Sequence, residues 1–188
     1  MGVYCWWEIS SDESNRRDYS DWIVPHLNEY QNTIDAALEK VPAKYIAEFS
    51  SLPGPAIILF RKKDTSATGK GAKQSLKVAG VAGGPRNTQE TFFSLPKQCR
   101  ATGTQNVKAI VLVELETELS GRFVYSGNNA PVPYNSYAVW LVDCVTGTVI
   151  GRQEFVQPLQ GSAFSPVSYN QANVERLLKS LQITSRSD

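Results

Sequence analysis

The chain is 188 residues long, 41% hydrophobic and 20% charged, and its 19 Lys and Arg against 18 Asp and Glu leave a net charge of +1. That supplies apolar material for one packed core but not for two, and it excludes the broad positive field by which a dedicated nucleic-acid binder draws in its ligand. No run reaches the roughly 18 to 20 apolar residues of a membrane-spanning helix, and the first residues lack the long apolar segment of a secretory signal.

The opening residues are apolar in a particular way. Val3, Tyr4, Trp6, Trp7 and Ile9 precede a polar stretch that carries Asp12, Glu13, Arg16, Arg17 and Asp18. Aromatic residues gather where a membrane anchor meets water, so residues 3–9 are expected to be the outer tail of a tether upstream of Val3; the alternative is a short strand or arm packed on the core. Trp6 stands where a myristoylation pattern needs Ser or Thr, so that pattern fails. The expected organisation is an N-terminal arm or juxtamembrane linker over 1–19, a single α+β domain over 20–183 and a disordered tail over 184–188.

From Ser20 the pattern changes. Trp22, Ile23, Leu27, Tyr30, Ile34, Ala37, Leu38 and Val41 follow the 3-and-4 spacing of an amphipathic helix, with Pro42 just past its end. The face Leu27, Tyr30, Ile34, Leu38 is expected to pack on a sheet, and Pro25 is either a first-turn residue or a kink. Leu52-Pro53-Gly54-Pro55 then punctuates the chain, and the continuous apolar run Ala56 to Phe60 predicts a buried strand paired with Leu76 to Ala82. The residues between, Arg61 to Ser75, read as a polar loop, and Arg86 to Gly103 as mostly loop.

Val107 to Leu115 alternates as a long strand, with a turn expected at Ser120-Gly121 and a return over Arg122 to Ser126. Gly127 to Asn135 reads as a proline- and asparagine-rich loop. It leads into Tyr137 to Val156, two β-rich runs around an Asp/Thr/Gly turn. In the first run Tyr137, Val139 and Leu141 alternate with Ala138, Trp140 and Val142, so both faces are apolar and the strand is expected to be central and covered on both sides. After a loop over 157–168, Asn170 or Asn173 is a candidate cap for a helix that buries Val174, Leu177, Leu178 and Leu181. Strands in succession, not alternating with helices, predict an α+β fold: a mainly antiparallel sheet of about six strands with an N-terminal and a C-terminal helix packed on it.

Motifs that carry chemistry are scarce. His26 is the single histidine, which excludes any site needing two imidazoles and leaves no zinc pattern; it reads as a partly exposed helical residue. No G-x-S-x-G elbow presents a serine. Thr68-Gly69-Lys70-Gly71-Ala72-Lys73 lacks the glycine spacing and the hydroxyl of a phosphate loop. Lys62, Lys63, Lys70 and Lys73 remain a weak anion-binding or membrane-surface candidate. Glu114, Glu116 and Glu118 would line one strand face, where paired carboxylates could act as acid and base or hold calcium; the alternative is a polar face leaving the core. Asp143 with Thr146-Gly147-Thr148 occurs once, whereas a propeller needs a repeat, so it reads as turn chemistry with Asp143 bonding backbone and Gly147 at positive φ. No cofactor is implied.

Of the three cysteines, Cys99 and Cys144 are the obvious pair in an oxidising compartment. A bridge closing a loop of about 46 residues would stabilise the fold by roughly 4 kcal/mol on the chain-entropy model. The alternative is that Cys144 is a small buried apolar residue beside Trp140. With the bridge, Cys5 is left unpaired.

These features predict a recognition or structural role before catalysis: an extracytoplasmic (periplasmic or cell-surface), exported or membrane-tethered binding domain for a protein, peptide or sugar, with no nucleic acid. The alternatives are a hydrolase-like enzyme using the acidic strand, or a cytoplasmic adaptor or accessory subunit with reduced thiols. The binding face is expected where the loops 127–135 and 157–168 gather at one end of the hairpin, through Asn128, Asn129, Tyr134, Gln160 and Phe164.

Overall fold

A computed structural model describes residues 21–42, 45, 47–63, 76–78, 95–125, 128–156 and 166–184. The expected tether at 3–9 lies outside these, as does the tail expected over 184–188 except for Thr184, whose N–H donates to Leu52 O at 2.9 Å. Helical backbone begins at residue 21, tightens into a 3₁₀ turn at Val24–His26, and continues as α1 (Leu27–Leu38). Pro25 accounts for the tightening, since it has no N–H to give to an α-helical ladder. Ile23, Ile34 and Ala37 are fully buried, and Trp22, Leu27, Tyr30 and Leu38 pack beside them, which is the stripe the spacing predicted.

The strands are β1 (Ser51–Leu52), β2 (Ala56–Lys63), β3 (Leu76–Val78), β4 (Ala109–Tyr125), β5 (Asn128–Asp143), β6 (Thr148–Phe155) and β7 (Gln182–Ile183). The main sheet runs β3-β2-β4-β5-β6, and β1 pairs with β7 in a small parallel sheet. The fold is α+β, but the main sheet is mixed and not a simple meander: β2 pairs β4 in parallel from Ala56↔Ala109 to Lys63↔Glu116. The reason is that the return strand expected at Arg122 does not exist. β4 runs through Ser120-Gly121 to Tyr125 and meets β5 directly, so its other edge is open to β2. Ser120-Gly121 sits in a register shift between Leu119 and Arg122, a bulge in place of a turn, which is another use a strand makes of glycine.

A second correction concerns Gly127 to Asn135. Residues 128–135 form the first half of β5 and are not a loop. Pro131 and Pro133 are tolerated there for a geometric reason. Cys144 N donates to Lys108 O at 2.9 Å, so pairs in phase with 108/144 exchange bonds and Leu119↔Pro133 falls between them. The proline nitrogens therefore face away from β4. On that side, among the described residues, β6 pairs β5 only from Tyr137↔Phe155 onward, so no ladder bond there is lost. Arg61, Lys62 and Lys63, also expected in a loop, complete β2.

Strand alternation divides the core in two. Ile57, Leu59, Ile110, Leu112 and Val142 face α1, while Ile58, Phe60, Val111, Val113, Tyr137, Val139 and Leu141 face α2 (Pro166–Ser180) through Val174, Leu178 and Leu181. The central strands are thus covered on both sides. Helix α2 opens on Pro166, which suits a first-turn position, so Asn170 and Asn173 are interior and cap nothing. Between α1 and β1 the chain passes round the β6 edge. Ala47 and Arg152 exchange backbone bonds of 3.2 and 2.7 Å, and Phe49 lies directly on Gly151, where a Cβ would come within 2.5 Å of its ring.

Two substitutions test this packing. Ile34→Ala should cost about 2–5 kcal/mol, read by urea denaturation, whereas Ala36→Ser on the exposed face should stay within about 0.5 kcal/mol; equal effects would place α1 off the core. Gly151→Ala should cost about 1–3 kcal/mol through the displaced Phe49 ring, and Phe49→Leu in the same chain should recover part of it. Additive losses would show that the two positions do not collide.

Candidate functional site

Arg61 follows the apolar run of β2 and shares its α1-facing parity with Ile57 and Leu59; Glu114 does the same on β4 after Ile110 and Leu112. The parallel register sets them side by side, Arg61↔Glu114. Both are buried, at 7% and 8% exposure, too little for water to solvate either charge. The guanidinium fork resolves this. Nε donates to Glu114 Oε1 at 2.7 Å, Nη2 reaches the same oxygen at 2.6 Å, and Nη1 donates to Asp35 Oδ1 on α1 at 2.9 Å. Glu114 Oε2 is left for Trp140 Nε1, which donates to it at 2.6 Å from the neighbouring β5. Asp35 Oδ2 in turn accepts from Gln31 Nε2 at 2.7 Å. Only arginine presents three donors in the plane this chain of contacts needs.

The network continues across the sheet. Trp140 pairs with Arg152 of β6, whose guanidinium stacks 4.6 Å from the indole centroid. Arg152 also pairs with Glu154 through Nη2 and donates from Nη1 to Tyr45 O at 3.1 Å, and Gln153 Nε2 donates to Phe49 O at 2.7 Å. Arg61, Glu114, Trp140 and Arg152, from four neighbouring strands, are thus tied to Asp35 of α1 and to Tyr45 O, while Gln153, of opposite parity, holds Phe49 O from the other face. Chemically the arrangement is a clamp. Three donors sit within 2.7 Å of the two oxygens of Glu114, two on Oε1 and one on Oε2, which ties the carboxylate into the network.

Of the residues expected to bind ligands, only some lie among the described ones. Lys62 and Lys63 end β2, while Lys70 and Lys73 lie outside the described residues. Asn128 and Asn129 sit at the far end of β5, paired with Tyr125 and Val124, and Tyr134 sits near the body opposite Glu118. Gln160 and Phe164 lie outside the described residues. The single loop cluster expected for these five is therefore replaced, for its first three, by a strand. Beyond Glu116 and Ser136 the two strands pair only with each other among the described residues, forming an arm of about nine residues a side, or roughly 30 Å.

His26 Nδ1 lies 3.1 Å from Glu29 Oε2 within its own helix, at an exposed position. Asp143 Oδ1 accepts from Val145 N at 2.8 Å and Thr146 N at 3.4 Å, and Gly147 takes φ +63°, as the turn reading requires. No group of three or more His, Cys, Asp or Glu able to hold a metal occurs among the described residues, and no helix there is long and apolar enough to cross a membrane.

The Cys99–Cys144 bridge is not formed: both are free thiols. The sheet separates them. Cys99 is buried on the α2 side, where its Sγ donates to Leu181 O at 3.4 Å, and Cys144 packs against the α1-side cluster. Burial, then the Asp143 charge, pushes the Cys144 thiol up from 9.0 to about 11; burial also raises Cys99. Sequence reasoning missed Arg61 altogether. The available signal was parity, since Arg61, Glu114 and Trp140 each continue an α1-facing row, but using it requires knowing that β2 lies beside β4.

No family model, curated protein or solved structure matches the chain.

Arg61→Met should cost about 3–5 kcal/mol because it leaves Glu114 buried and poorly compensated, and adding Glu114→Leu should recover part of that, giving a coupling of about 0.5–3 kcal/mol in a double-mutant cycle. Strictly additive losses would mean the pair is not coupled. Asp35→Asn, at a half-exposed carboxylate, should stay within about 1 kcal/mol.

The Cys144 thiol gives a pH signature. The unfolded thiol loses its proton near 9 and the folded one near 11, so the unfolded state binds fewer protons across that window. Stability from this group is therefore complete below pH 9 and falls as pH rises to 11, by at most about 1.4 kcal/mol per pH unit. Alkylation of native Cys144, followed by mass spectrometry of its peptide, should stay slow through pH 9 and accelerate near 11; ordinary reactivity at pH 8 would contradict its burial.

Proposed function

We propose that the chain is a recognition domain whose contact element is the β4–β5 arm, engaging a protein, peptide or sugar partner. The observation that carries this is the arm itself: among the described residues β4 and β5 continue past their last pairing with β2 and β6, and Asn128, Asn129 and Tyr134 lie along that extension. A two-stranded ribbon on its own is marginal in water. Among the described residues no further strand lies beside this ribbon, which supports a contact role for it. The alternative, a hydrolase-like use of the acidic strand, has less support at Glu114, which donors hold at both oxygens, while the side chains of Glu116 and Glu118 lie outside the described residues.

For the compartment, a second reading has a specific observation in its favour. The expected extracytoplasmic placement leaned on a disulfide, and Cys99, buried, and Cys144, partly buried, stand as separate thiols on opposite faces of the sheet. Such thiols suit a reducing compartment, which favours the adaptor or accessory-subunit form of the same recognition role.

Replacing residues 117–135 by Asn-Gly, so that Glu116 and Ser136 are joined by a two-residue hairpin turn, should leave the unfolding transition of the body within a few degrees of the intact chain, on the order of 1 kcal/mol for a domain of this size. A partner crosslinked to and identified with the intact chain should then bind at least about tenfold more weakly, a difference of about 1.4 kcal/mol. The triple variant Asn128→Ala, Asn129→Ala, Tyr134→Ala should show the same loss with the arm still present. Unchanged affinity in both would overturn the arm as the contact element.

A further inference from the structure

We draw no further inference here: the strongest candidate, the outer edges of the two-stranded β4–β5 arm as a place for a partner's strand, is interrupted by Pro131 and Pro133 on one side and by the bulge between Leu119 and Arg122 on the other, and nothing in the structure shows what covers it.

Discussion

The parallel pairing of Ala56–Lys63 with Ala109–Glu116 is the constraint on which the rest of the fold depends. Parallel neighbours cannot be joined by a tight turn, and strands at the centre of such a sheet are buried on both faces. That is why β2 reads as a continuous apolar run and why two helices, one before β2 and one after β6, are needed. Each helix supplies one apolar stripe, Ile23, Ile34 and Ala37 on one side and Val174, Leu178 and Leu181 on the other.

The same pairing sets two opposite charges side by side in the interior. Arg61 and Glu114 are adjacent only in the observed register, and the fork of Arg61 then reaches Asp35 on α1. An apolar pair of similar volume would cost less desolvation. The ionic pair penalises error more heavily, however: a slip of one residue would set Arg61 beside Val113 or Leu115, leaving a buried guanidinium without its acceptor. Trp140 extends the same discipline to β5 by giving its N–H to the remaining Glu114 oxygen, and Arg152 carries it to β6 by stacking on the indole.

Edges are handled differently in each place. The 45–49 linker bonds to β6 at Arg152, covering part of the sheet's outer strand, and Gly151 lets Phe49 lie close against it. The arm is blunted by proline nitrogens on β5 and by the Leu119/Arg122 bulge on β4, devices that hinder indiscriminate edge pairing.

Much of this was legible in the residues themselves. The 3-and-4 stripe over Trp22 to Leu38, the doubly apolar run over Tyr137 to Asp143 and the Asp143-to-Gly147 turn are local, because helix periodicity, strand alternation and turn chemistry depend on near neighbours in the chain. What needed the tertiary structure was long-range pairing. Ser120-Gly121 permits a turn or a bulge, and only the continued register of β4 with β5 makes it a bulge. Cys99 and Cys144 were close enough along an extended path to bridge, and only the sheet between them keeps them apart. Arg61, read as the start of a loop, becomes the centre of the buried network once β4 lies beside β2. Sequence alone determined which segments are apolar and with what period; which strand neighbours which was decided by the packing of two opposite faces at once, a condition no single segment encodes.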